Sequence, residues 1–301
     1  MPEPILRDFL DPQALSRLAG LSIHARIPML GNVSGRHRSP IRGSSLEFAE
    51  YRKYVPGDDT RRLDWRAYAR SDRFYIKEFE ADTNLRMCLI VDTSGSMGYG
   101  VEGMSKLDYA RRIAGTLAYM ASRQGDAVGL YCAGKGFQKE IPPHRNPAHL
   151  RHVLDEVGKM QGQGETGLPE ALHEAAEKTA QRALVIIISD LFIEPETLQD
   201  CFQHLRFRKH DVAVFHLLEK NELEFEFDRP MRFLDLEGGP PLLADPNIVG
   251  RQYQRLLTEY LETIETLMQD AAVDYHRVTI QEKYDDVLAR FLIGRTPKGS
   301  K

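Results

Sequence analysis

Three oxygen-bearing side chains, Asp92, Ser94 and Ser96, alternate through the stretch DTSGSM. Oxygen donors spaced this closely on one turn suit a hard divalent cation such as Mg²⁺, which takes carboxylate and hydroxyl ligands and keeps positions for water. The same residue types cap helices, so the stretch alone also fits a strand-to-helix turn with no ligand. A second carboxylate, Asp190, closes the pair Ser189-Asp190 after the apolar run at 183–188. Thr166 lies in the glycine-rich segment GQGETGLP, just ahead of a predicted helix. Two carboxylates buried together repel each other, and a cation between them removes that cost.

The elements needed to bring these residues together are legible in the hydrophobic pattern. Residues 85–91 are apolar except for Arg86, which predicts a buried strand delivering Asp92 to the carboxyl edge of a parallel sheet, where open α/β folds bind ligands. Leu107, Ala110, Ile113, Leu117 and Met120 form one stripe of a predicted helix over 106–123. Further helices are expected at 146–160, 169–182, 195–208, 251–271 and 285–293, and strands at 126–133, 137–141, 183–188, 211–218 and 274–280. Between 218 and 251, Leu223, Phe225 and Phe227 alternate with Glu222, Glu224 and Glu226, which predicts a hairpin against 231–236. The alternation of strands and helices predicts an α/β fold with a doubly wound, mostly parallel sheet over 81–296. An antiparallel hairpin insertion at 221–245 and an N-terminal extension over 1–80 complete it.

In that extension, residues 1–23 carry a helical pattern broken at Asp11-Pro12, and 24–45 read as a basic, glycine-rich surface loop. Trp65, the single tryptophan, sits among Arg61, Asp64 and Arg66. Such a segment is either a salt-bridged clasp or a partner-binding surface. Residues 74–79 alternate as a strand.

Composition removes several classes of function. The 301 residues, 42% of them hydrophobic, suffice for a full core. A net charge of −4 argues against a general nucleic-acid binder. The apolar run at 183–188 is far short of the roughly 18 residues that span a bilayer, and the N-terminus lacks a signal pattern, so a cytoplasmic protein without a membrane span is expected. Cys88, Cys132 and Cys201 have no CxxC spacing and read as buried small hydrophobes. His144, His149 and His152 lack metal-ligand partners, and neither GxxxxGK[ST] nor GxGxxG follows a strand. Charge is uneven, with 11 basic against 6 acidic residues over 24–73 and 7 acidic against 3 basic over 219–237. That pattern means a basic docking arm and an acidic edge, or two solvated faces.

Asp92-x-Ser94-x-Ser96 with Thr166 and Asp190 resembles the metal-ion-dependent adhesion site of von Willebrand factor A domains. The segment GRHRSPIRGSSLEFAEYRKYVPGDDTRRLDWRAYAR, the DTSGSM strand end, FLDLEGG and DYHRVTIQEKYDDVLARFL together resemble the bacterial domain-of-unknown-function family fifty-eight, over about 31–290. Its most specific block is Gly57, Asp58, Asp59, Arg61, Asp64 and Trp65. The resemblance implies a Rossmann-like A-domain fold. It implies a cation, Mg²⁺ or else Mn²⁺ or Ca²⁺, held directly by Ser94 and Ser96, by Thr166 in one of two states, and by Asp92 and Asp190 directly or through water. A coordination position is left for a carboxylate of a protein partner, and members are usually encoded beside MoxR-type AAA+ ATPases, which makes such an ATPase the expected partner. An acidic residue follows the threonine in the family pattern, whereas here Glu165 precedes it and Gly167 follows.

Two other readings compete with a metal-dependent interaction module. One is a metal-assisted phosphohydrolase using Asp92 as nucleophile or ligand. Phosphatases of the haloacid dehalogenase type need a second acid where Ser94 stands, and the sequence places no Lys or His near the loop as a base. The other is a scaffold whose metal site is vestigial.

Overall fold

The computed structural model describes residues 7–26, 47–53, 68, 74–80, 85–101, 103–135, 139–179, 182–227 and 229–297, with the backbone alone for 47–53 and 75–80. Arg61, Asp64, Trp65 and Arg66 lie outside the described residues, as does most of the basic loop. The chain divides into two compact units, Met1–His24 with Arg86–Lys301, and Ala25–Leu85. The first helix, α1 (Pro12–Leu18), therefore groups with the main sheet and not with the rest of the segment 1–80. Asp11 caps it by accepting the Gln13 amide at 2.8 Å, and it is held by the Arg17–Asp285 ion pair. In the smaller unit, β1 (Glu47–Lys53) pairs antiparallel with β2 (Tyr75–Glu80).

The main unit is built on β3 (Arg86–Asp92), α2 (Lys106–Gln124), β4 (Ala127–Ala133), β5 (Lys139–His144), α3 (Pro147–Lys159), α4 (Leu168–Lys178), β6 (Leu184–Ser189), α5 (Pro195–Phe207) and β7 (Asp211–Leu218). It continues through α6 (Lys220–Glu224), β8 (Met231–Phe233), β9 (Leu242–Ala244), α7 (Pro246–Asp270), β10 (Asp274–Thr279) and α8 (Tyr284–Arg295). Six strands form one sheet in the order β10-β7-β6-β3-β4-β5, parallel except for the antiparallel edge strand β5. β4, β6 and β7 are buried along their whole length, which is why their sequences are continuous apolar runs and not alternating ones. Cys88 and Ile90 pack on one face against α4, α5 and α7, through Leu172, Phe202 and Ile264 among others. The opposite face meets α2 and α8, where Phe291 lies edge-on to Phe215 with ring centroids 5.1 Å apart. All three cysteines are free and buried.

The connection from β3 runs to one side of the sheet and that from β6 to the other, so the crevice between these neighbours is the topological switch point. Val91 pairs with Ile188, which brings Asp92 and the Ser189-Asp190 pair to one edge.

Three local expectations are corrected. Residues 222–227 do not form a strand against 231–236. Glu219 and Glu222 make a capping box that starts α6, with the Glu219 amide donating to Glu222 Oε2 at 2.7 Å, and β8 pairs with β9. The short strand expected at 137–141 is β5 and runs on through Pro142 and Pro143. Proline is tolerated there because an edge strand need not donate on its outer side. α7 begins five residues before its predicted start, because Asp245 accepts the Asn247 amide at 3.0 Å and Pro246 fits the first helical position.

Two contacts outside the sheet ladder fix its ends. Arg295, fully buried at the end of α8, places Nη1 2.9 Å from Asp211 Oδ2 and Nε 2.7 Å from Asp274 Oδ2, joining the starts of β7 and β10. Near the opposite edge, a Cβ on Gly95 would lie 2.0 Å from the Leu236 carbonyl oxygen, so the segment after β8 crosses directly over the DTSGSM turn. Replacing Arg295 by Ala removes the guanidinium that two buried carboxylates share and is expected to lower unfolding free energy by about 3–5 kcal/mol in urea denaturation. Gly95→Ala is expected to cost about 1–3 kcal/mol in the same measurement, and to increase proteolytic cutting between residues 230 and 245 as the crossing segment is pushed off.

Candidate functional site

Asp92 ends β3 with only 1% of its surface exposed, and three donors reach its carboxylate. The Ser94 amide donates to Oδ1 at 2.9 Å, closing the turn. Ser189 Oγ donates to Oδ2 at 2.7 Å and Thr166 Oγ1 to the same oxygen at 3.3 Å. Ser94 Oγ and Ser96 Oγ are 3.0 Å apart. The turn is pinned from β4, where the Thr93 amide donates to the Ala133 carbonyl at 2.7 Å.

Thr166 arrives through backbone pairing. The Gln163 amide donates to the Thr93 carbonyl at 3.0 Å and the Gly95 amide to the Gly164 carbonyl at 2.8 Å, zipping the two loops together. Thr166 Oγ1 also accepts the Leu168 amide at 3.2 Å, so it caps α4 while touching Asp92. Gly167 is required by space: an added Cβ would lie 2.0 Å from the Gly134 carbonyl oxygen. Glu165 is exposed and pairs with Lys135 at 3.2 Å, away from the cluster.

Asp190 follows β6 and is 2% exposed. The next residue, Leu191, adopts φ 54°, a strained conformation for a side chain of this size, and is buried. Ser189 Oγ accepts the Leu191 amide at 2.9 Å, and the Tyr260 hydroxyl donates to the Leu191 carbonyl. These contacts hold the sharp turn that keeps Asp190 at the crevice.

Lys106, at the start of α2, was not among the residues expected here. It is fully buried, with Nζ 2.7 Å from Asp190 Oδ2 and 2.6 Å from Glu222 Oε1 of α6. Its cation lies 5.3 Å from the Phe192 ring centroid. A trace was present in the sequence, because Lys106 occupies the same helical stripe as Ala110, Ile113 and Leu117. His216 of β7 pairs in register with Ser189 and its Nδ1 lies 2.8 Å from the Tyr275 hydroxyl. The sequence places no Lys or His here as a general base, and the structure brings these two side chains to the neighbourhood. His216 comes from an element far along the chain, whereas Lys106 stands ten positions after Ser96, at the start of α2.

Neither group has the character of a general base. Burial opposes the charge on Lys106, but Asp190 and Glu222 outweigh it and raise its pKa, so it stays an ammonium. Burial pushes His216 down to about 4. Asp92 is pushed up to about 7, first by burial and then by the charge of Asp190, against the hydrogen bonds from Ser94 and Ser189. Glu222 is raised by burial and pulled back by Lys106. Lys106 pairs with both Asp190 and Glu222, so one ammonium serves two carboxylates, and Asp92 is buried next to Asp190. Among the described residues no three His, Cys, Asp or Glu side chains gather at ligand spacing, so the donors offered at this edge are two carboxylates with hydroxyls around them.

Also among the described residues, no helix is long and apolar enough to cross a membrane. A protein of Mycobacterium tuberculosis described as uncharacterized protein Rv1480 is 28% identical over 243 residues, 79% of this chain and 76% of its own length. The uncharacterized protein YeaD of Bacillus subtilis is 27% identical over 107 residues, 35% of this chain and 24% of its own. Among solved structures, the conserved hypothetical protein BatB from Bacteroides thetaiotaomicron aligns with TM-score 0.48 and 15% identity, covering 70% of this chain and 98% of that one. The SpRpn10 VWA domain aligns with TM-score 0.44 and 10% identity, covering 71% and 99%. Residues 50–259 match the family described as "Protein of unknown function DUF58", and the chain belongs to that family.

Proposed function

We propose that this chain is a protein-interaction module whose binding site is a divalent cation held at Asp92, Ser94, Ser96, Thr166 and Asp190. The observation that carries the reading is geometric: two carboxylates, Asp92 and Asp190, are buried at neighbouring strand ends, with the Ser94, Ser96 and Thr166 hydroxyls around Asp92. The donor set fits Mg²⁺ best, with Mn²⁺ and Ca²⁺ as alternatives. The 3.0 Å separation of the Ser94 and Ser96 hydroxyls matches the edge of an octahedron with bonds of about 2.1 Å. When bound, the cation supplies an open coordination position for a carboxylate of a protein partner.

The chain's own groups prepare that position. Ser189 and the Ser94 amide orient the Asp92 carboxylate, Thr166 stands against it on the solvent side, and Lys106 ties Asp190 to α6. A phosphohydrolase is the weaker reading, since Ser94 stands where that chemistry needs an acid and Lys106 is committed to two carboxylates. A MoxR-type AAA+ ATPase in the cytoplasm is the partner this reading names, supported by the sequence resemblance alone. The test is partner capture in Mg²⁺ and in chelator. Binding that survives both EDTA and Asp92→Ala overturns the proposal.

The raised Asp92 pKa also fixes a sign. The folded state keeps this proton up to about 7, whereas the unfolded carboxyl loses it near its ordinary value of 3.8. Protons are therefore bound preferentially by the folded form between these values, and stability in EDTA is expected to fall as pH rises across that window. Asp92→Asn is expected to remove this component of the slope in urea denaturation. Because the cation requires the ionised carboxylate, calorimetry is expected to show Mg²⁺ affinity rising by up to about tenfold per pH unit below neutrality, and no binding heat with Asp92→Ala.

A further inference from the structure

A groove of about 360 Å³ opens directly beside the oxygen cluster, sharing Ser96 with it and Glu222 with the Lys106 ion pairs. Its walls are aromatic. Phe225 stacks on Tyr253 with centroids 4.3 Å apart and on Phe233 at 5.7 Å, while Phe227 meets Phe233 edge-on at 5.4 Å. Tyr99 and Phe192 also line the groove. Phe192 is 43% exposed, Leu236 48% and Leu234 65%, all at the groove. Rigid aromatic side chains that pack on one another yet leave their outer faces open have the character of an interface anchor and not of a core.

The rim is acidic. Asp235 and Glu237 border the groove, and Asp235 accepts the Glu237 amide at 2.7 Å. Among the described residues neither carboxylate has a salt bridge, while Glu224 of the same stretch is paired with Lys220 at 3.2 Å. The segment 219–237 as a whole carries 7 acidic against 3 basic residues. An apolar trough beside an uncompensated negative rim selects a segment that brings both a bulky apolar side chain and a positive charge.

We propose that this groove receives an extended segment of a protein partner in which a large apolar residue, flanked by Lys or Arg, lies within a few positions of the acidic residue directed to the Asp92 cluster. The inference deepens the metal-bridged reading and rests on it for the acidic residue alone. The apolar residue would fill the space between Phe192 and Phe225, and the basic neighbour would meet Asp235 and Glu237. Lys106 links the two halves, because the Glu222 it holds lines the groove and the Asp190 it holds belongs to the oxygen cluster.

The probe is a positional-scanning library of fluorescein-labelled hexapeptides, each with one fixed aspartate, read by anisotropy against the full-length chain in Mg²⁺ and in EDTA. The expected result is selection of aromatic or branched apolar residues at one position and of Lys or Arg beside it. Phe192→Ser is expected to weaken the selected peptide about tenfold, and Glu237→Lys about threefold, with the unfolding midpoint of Glu237→Lys unchanged. Binding that depends on Mg²⁺ but shows no preference for apolar or basic neighbours upholds the metal site and overturns the groove. The same selection in EDTA upholds the groove and removes the metal. No selected peptide in either medium, or variants that alter only the chain's self-association, overturns the proposal. Should Phe192→Ser unfold the chain, the rim variant Glu237→Lys carries the decision.

Discussion

Two carboxylates, Asp92 and Asp190, are buried at the ends of neighbouring strands, and Lys106 pairs with the second of them. An ionised carboxyl removed from water is costly unless paired, and two together are costlier still. Most of the main unit's local detail can be understood as a response to that cost. Ser189 and Thr166 donate to Asp92 from two other elements, and the turn after Asp190 is strained and braced by Tyr260. Lys106 surrenders all exposure to neutralise Asp190.

The same charge arrangement joins the cluster to the surface beside it. Lys106 bonds at once to Asp190 of the sheet edge and to Glu222 of the short helix α6, whose capping box and C-terminal Phe225 shape the aromatic wall. The backbone at Leu236 in turn rests on Gly95 of the DTSGSM turn. The Asp92 turn, lysine, capping helix and crossing segment are thus neighbours in one contiguous assembly, and a change at the turn has a physical route to the groove. Arg295 plays the corresponding role at the other end of the sheet, where Asp211 and Asp274 are held together by one guanidinium.

The strands and most helices were legible because burial on both faces writes a continuous apolar run and packing on one face writes a 3.6-residue stripe. The convergence of Asp92, Thr166 and Asp190 was legible for a related reason: parallel topology sends every strand's carboxyl end to one edge. The region after β7 was not. Alternating Glu and Phe read as a strand there, but Glu219 and Glu222 cap each other and begin a helical turn, and the phenylalanines pair with Tyr253 and with one another. A local capping box outcompetes a period-two pattern when no neighbouring strand is available to reward it.

By itself, the sequence determined the sheet, the family resemblance and the oxygen donors, because each is encoded in residues close together along the chain or in a repeated period. Only the tertiary structure decided what balances those donors. Lys106, Ser189, His216 and Glu222 come from four elements, and their meeting depends on where helices cross the sheet, a distance relation that local spacing does not carry. The protonation of Asp92 likewise follows from burial and from the charge of a residue 98 positions away, and neither exists until the chain has folded.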